Sequence, residues 1–290
     1  MQVKLIAITQ PLIRKEEENR FLTAEEFIVY TARVSNPTNQ LNTATAPKLL
    51  KYCVKHQHWS PFEGVSMTVE IKTRRSISQQ IVRHRSFSFQ EFSQRYSEVV
   101  GYEKIELREQ AATNRQSSSE VSPKSPELLA RVEEYLDGGM QLYKELITEG
   151  IARECARDVL PLATETTLYM TGNVRSWMHY IKIRKKKDTQ KEHRLIADAI
   201  RTLFAEHFPV IASVYFNDQA IDKSEKVEVY EKLLHQLDMY FQLGDNKNVA
   251  MLLHKISDWS YAHRAGNGEL SETQTEILIN EKFKKLQTWK

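Results

Sequence analysis

A chain of 290 residues with 41% hydrophobic and 27% charged side chains is long enough to bury a sizeable core, and its balance excludes the fibrous and disordered classes. No run approaches the roughly 18 apolar residues of a membrane span. The opening MQVKLIAITQPLIRK lacks the apolar core of a secretory signal, and the two cysteines, Cys53 and Cys155, stand too far apart for a disulfide framework; a reducing cytoplasm without membrane association is expected. Net charge is only +3, but residues 172–194 carry eight Lys or Arg against Asp188 and Glu192, which points to an anionic partner.

The first element expected is a strand, VKLIAI (3–8), ending before Pro11. Thr23 and Glu26 form a capping box that opens a helix through Ala32. A loop rich in Asn, Thr and Pro (35–47) leads into a second helix, about 47–56. Cys53, His56 and His58 near its end are too few for a structural zinc site, which needs four ligands, and no second Cys/His pair stands at ligand spacing; no metal is expected. Val65, Met67, Val69 and Ile71 alternate with polar residues and predict a half-buried strand.

Ser76 and Gln79 repeat the capping-box pattern, predicting a helix from about 77 to 84. On it Ile77 and Ile81 face the core, while Gln80 and His84, four apart, share a face with Arg83 beside them. This helix runs into RHRSFSFQEFSQRYSE (83–98). Beyond Phe89 the period becomes two, so a strand is expected with Glu91, Ser93, Arg95 and Ser97 as a polar wall. Phe92, Gln94 and Tyr96 fall on its other side.

Residues 108–125 are rich in Ser and Gln and predict a mobile loop. Ser125-Pro126-Glu127 supplies an N-cap, a proline in the first turn and an acid, launching a helix to about 149 that stops at Gly150. A short helix, IARECARDVL, follows and ends at Pro161. From Asn173 a longer helix is expected, with Asn173, Trp177, Tyr180 and Arg184 as one stripe that brings Asn173 and Arg184 to one cleft. Arg175 and His179 form an adjacent stripe, and Lys185 to Lys187 face water. After about 215 three amphipathic helices are expected, near 223–242, 246–262 and 272–287, with a loop over 264–271. They make an all-helical extension (216–290) beyond a main domain (1–215).

The chain has neither GxGxxG nor GxxxxGK[ST], and its nine glycines leave no cradle of backbone amides for phosphate. Any phosphate must be held by side chains, for which the planar fork of arginine is suited. Arg83, Arg85, Arg95, Arg157, Arg175 and Arg184 all stand in patterned segments.

Arg83-His84-Arg85, seven residues, then Ser93-x-Arg95-Tyr96 resembles the RHRx7S signature of the flavin-dependent thymidylate synthases. TARVS (31–35), HWSPFE (58–63), QQIVRHR (79–85), AR-x2-LP (156–161) and NVRSWMHYIKIR (173–184) match in the same order. The resemblance covers about residues 25–210. It departs at Gly64, where the family usually has His, and at Gln90, where Asn is common.

The resemblance implies an α+β fold with a mixed or antiparallel sheet flanked by helices, and a homotetramer whose sites combine several subunits. It implies conversion of dUMP to dTMP, with carbon from methylenetetrahydrofolate and reducing equivalents from NADPH through FAD. By motif position dUMP is surrounded by Gln79, Gln80, Ile81, Val82, Arg83, Glu91, Ser93, Arg95, Arg157 and Arg184. FAD is contacted by His58, Ser60, Arg83, His84, Arg85, Glu91, Asn173, Arg175 and His179, with His58 also near the folate. Arg184 is the catalytic residue, polarising the uracil ring.

The chemistry of the residues agrees. Uracil C5 is a poor nucleophile until charge moves into the ring, and a fixed cation beside a carbonyl oxygen favours that charge. Ser93 has no His/Asp partner in its segment and is read as a hydrogen-bond donor to substrate, not as a nucleophile. Two other readings stand beside this one. A single-stranded nucleic-acid-binding module needs rings and arginines on one face, which the alternation opposes. A non-catalytic nucleotide-binding paralogue keeps the fold and loses the reaction.

Overall fold

The structure, a computed structural model, describes residues 1–216. The three helices and the loop expected over 223–287 lie outside the described residues. In chain order the elements are β1 (Gln2–Ile8), β2 (Arg14–Lys15), β3 (Arg20–Phe21), α1 (Ala24–Ala32), α2 (Ala46–Lys55), β4 (Ser66–Arg74), α3 (Arg75–Ile81) and β5 (Ser88–Glu91). There follow β6 (Arg108–Gln110), β7 (Ser118–Val121), α4 (Ser125–Thr148), α5 (Arg153–Ala156), β8 (Glu165–Asn173), α6 (Val174–Arg184), α7 (Lys191–His207) and α8 (Pro209–Phe216).

The fold is α+β. A four-stranded sheet in the order β1-β4-β8-β5 is antiparallel throughout, and β4 and β8 pair along their whole length, from Ser66 opposite Asn173 to Arg74 opposite Glu165. Alternation decides its two faces. Met67, Val69, Ile71, Leu168 and Met170 point inward and are buried. Trp177 and Ile181 of α6 and Ile196, Ile200 and Phe204 of α7 belong to the same core cluster. The opposite face is polar: Thr68 and Thr171 share a hydroxyl hydrogen bond of 2.9 Å, and the Tyr169 hydroxyl donates to Glu70 at 2.8 Å.

The capping box at α1 forms as expected. Thr23 Oγ1 accepts from the Glu26 amide at 3.1 Å and Glu26 Oε2 accepts from the Thr23 amide at 2.8 Å. Arg20 also grips the Glu26 carboxylate with both terminal nitrogens at 2.7 Å, and chiefly this pair lowers its pKa to about 2. The first amides of α8 are capped from a distance, since Val210 and Ile211 donate to the buried Glu25 at 3.2 and 2.7 Å.

Several expectations change. The stretch 108–125 is no mobile loop: Arg108–Gln110 and Ser118–Val121 pair as a hairpin. Arg108 ties it down by donating to Glu192 at 3.0 Å and to Ser118 at 2.8 Å. Helix α4 has no side-chain cap from Ser125, which is buried and is its first residue, donating its amide to Ser122. The helix does stop at Gly150, whose φ of +81° is the left-handed conformation glycine favours. Lys185 is half-buried and pairs with Asp198 at 3.6 Å, so only part of the Lys185 to Lys187 run faces water.

Among the described residues no helix is long and apolar enough to cross a membrane, and no group of three or more His, Cys, Asp or Glu is placed to hold a metal ion.

Candidate active site

Helix α3 begins at Arg75, two residues earlier than expected, and the Ser76/Gln79 box does not form. The amides of Arg75 and Ser76 donate instead to the carbonyls of Thr164 and Leu162, at 2.9 and 3.1 Å. The segment leading into β8 thus caps α3, and Ser76 Oγ is left to accept from Arg74 at 3.1 Å. Ile77 and Ile81 are fully buried as expected, so Ile81 offers a ligand only its backbone; Gln79 and Val82 are exposed.

Past α3 the chain turns twice, with the His84 amide donating to Ile81 and the Phe87 amide to His84. These turns aim His84 inward while Arg83 and Arg85 stay exposed. The His84 ring lies edge-on to Tyr180 at 4.9 Å, and its Nε2 accepts from Arg184 Nε at 2.8 Å. Burial, and then the Arg184 charge, lower the His84 pKa to about 4. A neutral ring with its proton on Nδ1 is the state that can accept this bond. Burial also lowers the Arg184 pKa, and its two terminal nitrogens remain to meet a ligand.

Behind this pair stands His193, which no pattern in the sequence marks. It is fully buried on α7, its Nε2 3.0 Å from the Tyr180 hydroxyl and its Nδ1 3.4 Å from Gln80 Oε1. Gln80 Nε2 in turn donates to Gln190 Oε1 at 2.6 Å. A lone histidine on an amphipathic helix carries no signal that would separate it from an ordinary core residue. Trp177, also on the α6 stripe, is buried and donates to the Met67 carbonyl at 3.0 Å, which anchors the helix to the sheet.

The polar wall of 91–97 does not form. Strand β5 ends at Glu91, and one further ladder bond runs from the Phe92 amide to Thr167. The amides of Tyr96 and Ser97 then close a turn on the Ser93 carbonyl, at 3.1 and 3.0 Å. The β8 edge beyond Thr167 is already occupied: Glu165 donates to the Gly101 carbonyl and Tyr102 bridges Thr164. With that edge taken, residues 93–100 must loop outward.

Glu91 therefore sits apart from Ser93 and Arg95, paired to Arg75 at 2.6 Å and accepting from Thr166 at 2.9 Å. Arg95 is exposed and pairs with Glu154 of α5 at 2.8 Å. Arg157 follows α5 directly, so Arg95 and Arg157 belong to one surface. Tyr96, expected on the side of the strand opposite the wall, is 84% exposed. Phe92 does pack, against a second cluster of Val99, Met140, Tyr143 and Ala156.

Asn173 caps α6, its Oδ1 accepting from the Ser176 amide at 2.8 Å. Eleven residues at 1.5 Å rise put it about 16 Å along the axis from Arg184, so the two mark opposite ends of one helix and not a single shared cleft. At the Asn173 end, Arg175 pairs with Glu63 of the SPFE turn that Ser60 opens. His58 is exposed, its ring 5.5 Å from Tyr52. His179 is exposed midway and its charge is felt at His84. Gly64 leaves room for a side chain, since a Cβ there meets nothing nearer than Phe27 at 3.9 Å.

The residues expected at a site thus fall into two groups within one chain: Arg184, His84 and Gln80, with His193 behind them, and Arg95 with Arg157 near α5. Among the described residues Arg83, Arg85 and Arg157 have no carboxylate partner in an ion pair. Guanidinium forks without such partners suit an anionic ligand.

Residues 19–210 match the family model described as thymidylate synthase complementing protein. A probable flavin-dependent thymidylate synthase of Paramecium bursaria Chlorella virus 1 is 47% identical over 215 residues, covering 73% of this chain and 97% of the relative. The flavin-dependent thymidylate synthase of Synechocystis sp. is likewise 47% identical over 215 residues, covering 73% and 98%. Among solved structures, a UMP/dUMP methylase from Streptomyces cacaoi bound with 5-Br dUMP aligns at a TM-score of 0.64 and 25% identity, covering 74% of this chain and 94% of that one. By family model, sequence identity and shared architecture together, the chain belongs to the flavin-dependent thymidylate synthases.

Proposed function

We propose that the protein converts dUMP to dTMP, drawing the carbon from methylenetetrahydrofolate and two electrons from NADPH through bound FAD. In the balanced reaction dUMP, methylenetetrahydrofolate, NADPH and a proton give dTMP, tetrahydrofolate and NADP+. The observation that carries this reading is the Arg184–His84 bond of 2.8 Å, which fixes one edge of a half-buried guanidinium and leaves the other for a ring oxygen. The nucleic-acid-binding and non-catalytic readings find no comparable support.

The flavin, when bound, supplies the reducing equivalents. The exposed Arg83 and Arg85 suit its phosphates, and Ser60, Asn173, Arg175 and His179 extend the same surface along α6. Arg184 stabilises charge as it develops on the uracil carbonyl, a role that is worth roughly 10²- to 10³-fold in rate for one well-aimed donor. His84 stays neutral above its pKa of about 4, so it takes no share of that charge and holds the guanidinium plane in place.

Arg95 and Arg157 bind the nucleotide phosphate or ribose, and dUMP must displace Glu154 from Arg95 on entry. Ser93 donates a hydrogen bond and does not attack the ring, while Glu91, held by Arg75 and Thr166, acts as an acceptor beside the two ligands. The exposed position of Arg95, away from Arg184, fits a site completed by a second subunit of a homotetramer. The chain works in the cytoplasm on these small-molecule partners. The purified protein is expected to be yellow, to bleach with NADPH and to form dTMP only when dUMP and the folate are both supplied; a colourless protein with no dUMP-dependent turnover refutes the reading.

A further inference from the structure

We infer that His193 is a positioning residue for nucleotide binding, its ring fixing the carboxamide of Gln80, and through it that of Gln190, beside Arg184. This inference rests on the reading of Gln80 as a dUMP contact. The buried, un-ionised Tyr180 hydroxyl has His193 Nε2, at 3.0 Å, as its one hydrogen-bond partner among the described residues, so donating there is what leaves its proton satisfied. The ring is neutral, since burial pushes its pKa down to about 3, and its single proton then lies on Nδ1.

That N–H donates to Gln80 Oε1 at 3.4 Å, the one atom of the carboxamide that can accept it. Gln80 Nε2 is consequently turned to Gln190 Oε1 at 2.6 Å and to the Ser76 carbonyl at 3.4 Å. A carboxamide flip would set N–H against N–H on the His193 side and oxygen against oxygen on the other. Gln190 is left with its own amide nitrogen uncommitted to Gln80, in a small recess of about 70 Å³ that Arg108, Lys191 and Arg194 also line. Four side chains thus hold one orientation, and the series ends in this recess, where Arg108 is paired with Glu106 and Glu192 and Lys191 with Glu106. The His84 ring stands 6.3 Å from His193, so the same buried imidazole also backs the partner of Arg184.

A residue that only fills the core would be indifferent to which nitrogen carries the proton. The test exploits that difference in the full-length, flavin-loaded protein. His193→Asn places an N–H near the Nδ1 position and His193→Gln places one near Nε2. His193→Gln is expected to raise the dUMP KM by about five- to tenfold, the loss of one hydrogen bond, with kcat within about twofold. His193→Asn should restore most of that loss, and Tyr180→Phe, which keeps the ring but frees the tautomer, should give an intermediate KM.

Equal effects of Asn and Gln that follow loss of thermal stability overturn the inference, as does a fall in kcat with unchanged KM. If neither His193 variant folds, Tyr180→Phe decides by the same KM: an unchanged value overturns it. Absence of dUMP affinity in the unaltered protein is a separate result and removes the functional reading beneath the inference.

Discussion

Arg184 and Arg95 carry opposite expectations, because one is half-buried against a neutral ring and the other is exposed against a carboxylate. Arg184→Ala should lower dTMP formation by about 10²- to 10³-fold while the protein keeps its flavin spectrum; turnover near the unaltered level contradicts its role. Arg95→Ala should weaken dUMP by roughly tenfold, a charge-assisted contact offset by the Glu154 pair it already makes, and isothermal titration with an unchanged affinity removes it from the site. His84 sets a pH dependence of stability. Its folded pKa of about 4 lies below its unfolded value, so the unfolded chain binds more protons between the two and stability falls as pH drops from about 6.5 towards 4. His193 acts in the same sense, with Glu25, pushed up by burial, opposing it. Denaturation midpoints should therefore fall over that window and fall less in His84→Gln; equal slopes contradict the assignment. At this scale Arg184 was legible because a stripe of large rings pointed to it. His193 was not, because its meaning lies in a contact 113 positions away in sequence.

Among the elements, β8 is one that the sequence concealed. Its inward positions are Thr166, Leu168, Met170 and Gly172, so only two of four carry the apolar signal that alternation depends on. Gly172 is there for space: a Cβ would sit inside the Phe87 ring, itself 4.6 Å from Trp177. Gly172→Ala should lower stability by about 1–3 kcal/mol through overpacking, measured by chemical denaturation; a neutral result shows that Phe87 can move freely. The polar alternation of 91–97 misled for the complementary reason. Period-two polarity marks a strand only where a neighbouring edge is open, and Gly101 and Tyr102 already occupy that edge. The 108–125 hairpin escaped notice because Ser and Gln hide it locally, while Arg108 and Glu192 stabilise it from 84 positions apart.

At the scale of the molecule, the resemblance implied the α+β class but left the sheet mixed or antiparallel, and the structure makes it antiparallel throughout. Within one chain Arg184 stands beside His84 and Arg95 beside Glu154. If the two groups meet across subunits, Arg95→Ala and Arg184→Ala chains, dissociated and reassembled together, should turn over limiting dUMP faster than either variant does alone. Mixed assemblies no faster than Arg95→Ala alone would place both arginines in one subunit's site.

The reaction itself is tested most directly by the folate it leaves behind. When the flavin-loaded protein turns over dUMP, methylenetetrahydrofolate and NADPH, chromatography of the products should show dTMP and tetrahydrofolate in equal amounts, with matching NADPH consumption. Dihydrofolate in place of tetrahydrofolate, or no dTMP at all, would contradict an account in which the electrons come from NADPH through the flavin.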